Sequence, residues 1–215
     1  VARAHLKDVF GKAFGRAPDV DDSREIMSYR AAVFGWLGGG VVLWAWLWLT
    51  GLPAWVAVLT LLMALLIFVG LTRVVVESGV ATAVGPMISS SVMISAVGSS
   101  ALGAPGMVAM AYTYVWAADI RTFVMASAAH GLKLSESLGR NLRPLFWAMA
   151  LAIGISAVAS VWVILHLAYG YGGINLNGWF FGGGPRAPFE YIATLMATPT
   201  TANWAGLLHT AVGGG

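Results

Sequence analysis

Groups able to do chemistry are few in this chain, and they gather around one stretch. Arg73 and Glu77 stand four residues apart, so on a helix they share a face and can pair. Asp119 and Arg121 repeat the opposite charges further on, and Ser89, Ser90 and Ser91 lie between the two pairs in a segment full of Gly, Ser and Pro. Charges flanking a run of hydroxyls suit the passage or gating of a polar solute better than bond-breaking chemistry. The arginines would attract an anionic group such as a carboxylate, and Glu77 or Asp119 could carry a coupling proton. The plainer reading makes Arg73 and Glu77 an ion pair at a helix end, and the serines small residues that let helices pack closely.

The groups that would signal an enzyme are missing. There is no cysteine, so thiolate metal sites, a Cys nucleophile and disulfides are excluded. The histidines at 5, 130, 166 and 209 are scattered, and no HExxH, GxSxG or phosphate-loop motif occurs. His130 reads as a polar interface residue, and His166 sits beside aromatic residues near a helix end. No catalytic residue, no metal and no cofactor is expected. Nucleic acid is not expected as a partner either, because the basic residues sit at helix ends instead of forming a patch interleaved with aromatics.

The elements that must position these residues are apolar. Of 215 residues, 59% are hydrophobic and 10% charged, and the mean hydropathy is +0.79. Soluble domains carry about 25% charged residues. Several runs reach the roughly 20 apolar residues needed to cross a hydrocarbon core. The runs are continuous and not alternating, which disfavours a β-barrel. The expected fold is all-α, a polytopic transmembrane helical bundle of about five membrane segments, two of them short or re-entrant, with an N-terminal amphipathic helix.

Residues 1–30 read as a cytoplasmic lead-in. Leu6, Val9, Phe10, Ala13 and Phe14 recur at helical spacing with Arg3, Lys7 and Lys12 on other faces, and Ser23 or Ser28 can cap the next helix. The transmembrane bundle is expected over 31–168. Its first span, 31–50, carries Gly35 and Gly39 as a GxxxG packing step and a Trp-rich far end that marks a membrane interface. The turn Gly51-Leu52-Pro53 leads into a second span over 53–76.

Two short apolar runs follow, over 81–97 and 107–118, separated by Gly98–Gly106. They either cross twice or form a re-entrant hairpin of half-helices. Broken helix at membrane depth is tolerated only inside protein or beside water, and transporters place substrate at such breaks. An interfacial basic segment comes next, then a span over 144–168, where Ala148, Ala152, Ser156 and Ser160 recur every fourth residue as a helix-packing ridge. Residues 169–202 read as a non-cytoplasmic Gly/aromatic loop, and 203–215 as the start of a further apolar segment.

Charge sets the topology. Six of the twelve Lys and Arg residues precede the first span. Arg73, Arg121, Lys133, Arg140 and Arg143 fall on the same side if 80–118 returns to it, which places the N-terminus in the cytoplasm. The expected location is the cell (inner) membrane, with the lipid bilayer and other transmembrane helices or subunits as partners.

The stretches DVDDSREIMSYRAAVFGWLGG, TRVVVESGV, DIRTFVMASAAHGLKL and AYGYGGINLNGWFF together resemble the C-terminal part of a large, functionally uncharacterised family of prokaryotic multi-pass membrane proteins. The overall look is similar to oligopeptide transporters. The resemblance covers most of the chain, and members of that family are longer, which implies a terminal fragment or a split form. It implies transport without naming a substrate. Two functions are therefore expected as rivals: part of a transporter-like permease for a small polar or peptide-like solute, or a non-catalytic accessory subunit packed in a larger membrane complex.

Overall fold

A computed structural model describes residues 2–23, 25–81, 83–85, 87–117, 124–136 and 143–213. The regular structure of those residues is helical: α1 (Ala2–Ala13), α2 (Tyr29–Leu49), α3 (Ala54–Ser78), α4 (Ser89–Val97), α5 (Ser99–Ala117), α6 (Val124–Glu136), α7 (Arg143–Tyr171), α8 (Gly184–Ala197) and α9 (Trp204–Gly213). Three of these, α2, α3 and α7, are long and apolar enough to cross a membrane. They coincide with the three long spans read from the sequence.

The helix ends follow local chemistry. Gly15, with φ 74°, ends the first helical segment, and the Arg16 amide donates to the Gly11 carbonyl at 2.7 Å. The acidic turn that follows clasps the start of α2. Ser28 Oγ accepts the Ala31 amide at 3.3 Å, Asp22 accepts the Tyr29 amide at 3.0 Å, and the Tyr29 hydroxyl donates to Glu25 at 3.0 Å. Pro53 opens α3, and Gly79, left-handed at φ 72°, closes it by donating to the Val75 carbonyl.

The other two expected membrane segments became α4 and α5, and neither is a straight span. Nine residues of α-helix make α4 only about 14 Å long, against a hydrocarbon core of about 30 Å. Helix α5 is interrupted at Gly103, whose φ of 65° and ψ of 174° break the helical path, with Pro105 just beyond. Ser90, eight residues before Gly98, hydrogen-bonds Thr113, ten residues after Gly103. The chain therefore doubles back between them, and α4 and α5 form a helical hairpin.

The chain divides into two compact units, each built from separated stretches: residues 1–42 with 131–172, and residues 43–130 with 173–215. In the second unit, Leu47, Leu52, Val56, Met93, Met107, Met110 and Ile192 share one core. Its elbow is tight. A Cβ on Gly51 would lie 3.1 Å from Pro105 Cβ, so the turn after α2 presses on the bend of α5. In the first unit the interior is slight. Phe14 packs edge-on to Phe34 and His5 to Tyr29, and no described residue of α7 is buried.

The 169–202 stretch differs from the loop that its Gly and aromatic content predicts. Helix α7 continues to Tyr171, a 3-10 turn covers Gly173–Asn175, a π-helical turn covers Trp179–Gly183, and α8 follows at once. Asn177 Oδ1 caps this run by accepting the Phe180 amide at 2.9 Å. The glycines here make room for a ring instead of loosening the chain. A Cβ on Gly183 would lie 3.0 Å from Trp179 Cε3, and one on Gly184 2.9 Å from the Trp179 carbonyl oxygen.

Candidate functional site

A polar junction lies in the second unit, where two helix breaks interlock. The first is Gly98 (φ 88°, ψ 143°), between α4 and α5. The second is the non-helical segment 198–203, between α8 and α9. They touch backbone to backbone. A Cβ on Gly98 would fall 2.7 Å from the Thr201 carbonyl carbon, 2.8 Å from the Thr200 oxygen and 2.9 Å from the Ala202 nitrogen. Only glycine fits there, both for space and for its positive φ.

Each break satisfies the backbone groups that the other leaves open. The Thr200 carbonyl accepts from the Ser100 amide at 3.2 Å and from the Ser100 hydroxyl at 2.7 Å. Ser99 Oγ donates to the Leu195 carbonyl at 3.0 Å and accepts the Thr200 amide at 2.9 Å. The Ser99 amide reaches Thr200 Oγ1 at 3.3 Å, and the Asn203 amide donates to the Ser95 carbonyl at 3.0 Å. Asn203 Oδ1 accepts the Gly206 amide at 2.9 Å and so caps α9. Broken helices surrounded by apolar residues persist when the freed groups are paired in this way.

A cleft of about 590 Å³ opens beside this junction. Its walls are the last turn of α4 (Ile94, Ser95), the C-terminal half of α8 (Tyr191, Leu195) and the segment from Pro199 to Asn203. No charged side chain lines it. Two further clefts, in the first unit, are lined mainly by apolar and aromatic side chains.

The residues singled out in the sequence lie elsewhere. Arg73 Nε and Glu77 Oε1 form the i,i+4 ion pair at 2.8 Å, with side chains 77% and 61% exposed. Ser89 and Ser90 are buried at the start of α4. Thr113 Oγ1 donates to the Met110 carbonyl, which leaves Ser90 the donor in their shared bond. Ser91 meets the Tyr114 hydroxyl at 3.1 Å. Two of these three serines thus pin α4 to α5. Ser89 Oγ is buried with no hydrogen-bond partner, as are Thr72 Oγ1 and Trp116 Nε1. A buried hydroxyl in that state is a place for an ordered water or a bound polar group. Asp119 and Arg121 lie outside the described residues.

The packing residues are open. Gly35 and Gly39 have nothing within 4 Å of an added Cβ, and Ala148, Ala152, Ser156 and Ser160 are all exposed. His130 Nε2 sits 2.9 Å from the Val75 carbonyl at the end of α3. No group of three or more His, Cys, Asp or Glu able to hold a metal occurs among the described residues.

Sequence reasoning placed the first break, within Gly98–Gly106, and missed its partner. The available signal was TPTTAN, residues 198–203: a Pro with four hydroxyl or amide side chains between two apolar helical runs. Which segment it would clasp, about a hundred residues earlier, no local pattern could say.

A protein-family model described as a family of unknown function (DUF6785) matches residues 1–215. No curated protein and no solved structure matches the chain.

Proposed function

The chain belongs to the DUF6785 family of unknown function, and from that footing we propose that it is a membrane protein forming part of a transporter-like permease for a small polar or peptide-like solute. Three helices long and apolar enough to cross a membrane support the location. The observation that carries the rest is the pair of interlocked breaks at Gly98 and 198–203. Helix α4, at about 14 Å, and α8, at about 21 Å for its fourteen residues, are both shorter than a hydrocarbon core of about 30 Å. Each would end within it. Transporters bind cargo where discontinuous helices free their backbone groups at mid-depth. In this reading Arg73 and Glu77, with Asp119 and Arg121, act at a cytoplasmic gate, and binding and passage take the place of catalysis.

The test is uptake by the full chain in proteoliposomes, with a panel of small polar solutes and short peptides. Saturable uptake of at least one, reduced by Glu77→Gln or Asp119→Asn, is the expected result. Uptake unchanged in both variants would remove the coupling role of these carboxylates. No saturable uptake of any solute would remove the permease reading.

One observation favours the rival reading, an accessory subunit of a larger membrane complex. Helix α7 buries none of its described residues, and its small-residue ridge is open. Purification of the native assembly with further membrane chains attached, and no uptake without them, is the outcome that reading expects.

A further inference from the structure

We propose that the cleft between the starts of α2 and α7, in the first unit, holds one phospholipid, with its phosphate at Arg143 and the upper part of an acyl chain between the helices. This rests on the membrane location in the reading above and not on transport.

The first argument is the order of chemistry along the cleft. It holds about 670 Å³, within the roughly 300–1,000 Å³ of small-molecule sites. Arg143, the first residue of α7, and Ser28, just before α2, are the charged or hydroxyl residues of its lining; the rest are apolar or aromatic. Ala32, Gly35 and Trp36 carry the α2 wall about 10 Å beyond Tyr29, and Phe146 and Trp147 carry the other wall one turn into α7. Both helices are long and apolar enough to cross a membrane, and both begin at this cleft, so its mouth lies at the headgroup level of one leaflet. A charge at that level above an apolar trough matches an amphiphile. Below the mouth, the indole N–H groups of Trp36 and Trp147 are the polar side-chain atoms left, and indoles favour the membrane interface.

The second argument is charge. A phosphodiester carries one negative charge, and a guanidinium matches its oxygens as a fork, with N–H donors to spare beyond the two engaged. The lining holds no carboxylate. Asp22 and Glu25, in the adjoining acidic turn, are directed at the amide and the hydroxyl of Tyr29. Basic pockets between membrane helices at the cytoplasmic surface are where phospholipid headgroups bind.

The third argument is what could fill the trough. The chain does not: nothing lies within 4 Å of a Cβ on Gly35, and Trp36 and Trp147 are 56% and 73% exposed. A helix of another chain would have to bring a carboxylate to Arg143 at the edge of the hydrocarbon, where ionisable groups are costly. A phospholipid carries its charge at that depth already.

The experiment is thermal denaturation of the full chain, stripped of lipid in detergent, with added phosphatidylglycerol or phosphatidylethanolamine. Diacylglycerol of the same chains and inorganic phosphate are the comparisons. The expected result is a saturable rise in Tm with at least one phospholipid, a smaller rise with diacylglycerol and none with inorganic phosphate. Arg143→Gln should weaken half-saturation at least tenfold, and Arg143→Lys should keep part of the response. Gly35→Leu, which fills the trough, should weaken it as well, whereas Gly154→Leu, at an open position of α7 outside the cleft, should not. Equal rises with phospholipid and diacylglycerol, a rise with inorganic phosphate as large as with phospholipid, or an unchanged response in Arg143→Gln would each overturn the site. If Arg143→Gln does not fold, Gly35→Leu decides by the same criterion. A photo-crosslinker at position 32 in native membranes should label lipid, and labelling of another protein chain in its place would overturn the proposal. No flux is measured, so the two readings fail separately. Lipid binding without uptake removes the permease reading alone, uptake without a phospholipid response removes this site alone, and a chain recovered free of membranes after gentle lysis removes the location on which both stand.

Discussion

Helix α7 has 29 residues, nearly all apolar, and buries none of those described; α4 has nine and buries four, two of them serines. Apolarity therefore does not decide which helix packs inside the chain. Side chains of α7 are apolar all round, so no single face is directed at a protein neighbour, which is the pattern of a helix surrounded by lipid or by other spans. Helix α4 is short, small and hydroxyl-bearing. It is held by shape and hydrogen bonds: Ser90 on Thr113, Ser91 on Tyr114, and the Gly98 backbone against Thr200–Ala202. In an apolar solvent, close approach and hydrogen bonding distinguish one helix contact from another, because lipid tails match Leu and Val equally well.

The sharpest break of this comparison is Gly98→Ala set against Gly154→Ala on α7. At Gly98 the new methyl would meet the backbone of 200–202 and a φ of 88°, whereas at Gly154 nothing lies within 4 Å. Strain and overpacking at the first site should cost about 2–5 kcal/mol. At the second, the better helix former should change stability by no more than about 1 kcal/mol, in the stabilising direction. Thermal denaturation in detergent compares them. Equal tolerance at both positions would mean that the breaks are not interlocked.

A smaller effect tests what pins α4 to α5. Thr113→Val leaves the Ser90 hydroxyl without its acceptor and should destabilise by about 1 kcal/mol. Ser90→Ala with Thr113→Val should lose less than the sum of the singles, with a coupling of about 0.6 kcal/mol, the average for hydrogen bonds between membrane helices. Strictly additive losses would show that this bond holds nothing.

The smallest effect within the chain belongs to the α7 ridge. Ala152→Leu with Ser156→Leu changes exposed positions and should move stability by less than about 0.5 kcal/mol. Size and composition of the purified assembly are the more telling measurement, since the accessory reading expects partner chains to be lost. A fall in Tm as large as that of Thr113→Val would mean that α7 is packed after all, and the contrast with α4 would collapse.

Much of the fold was legible. The long runs at 31–50, 53–76 and 144–168 announce α2, α3 and α7 because continuous apolar sequence of that length has few other uses. Ser28 and Pro53 punctuate them by local rules. The 169–202 stretch was legible only as composition. Its glycines look like loop signals until Trp179 is seen to cover Gly183 and Gly184, and the coverage depends on a turn of π-helix that no periodicity announces. The candidate site was half legible, since Gly98 marks a break and TPTTAN a second, but nothing in either marks them as a pair.

The sequence by itself determined which runs are long and apolar enough to cross a membrane. That depends on how apolar each run is and how long, which are sums over neighbouring residues. Tertiary structure decided which polar groups are neighbours. Ser99 meets Thr200 across a separation of 101 residues, and that contact exists because the chain doubles back at Gly98–Gly103 and returns after α8. Hydrogen-bond partnership over such a distance is a property of the folded path, and it turns two ordinary breaks into one polar cleft.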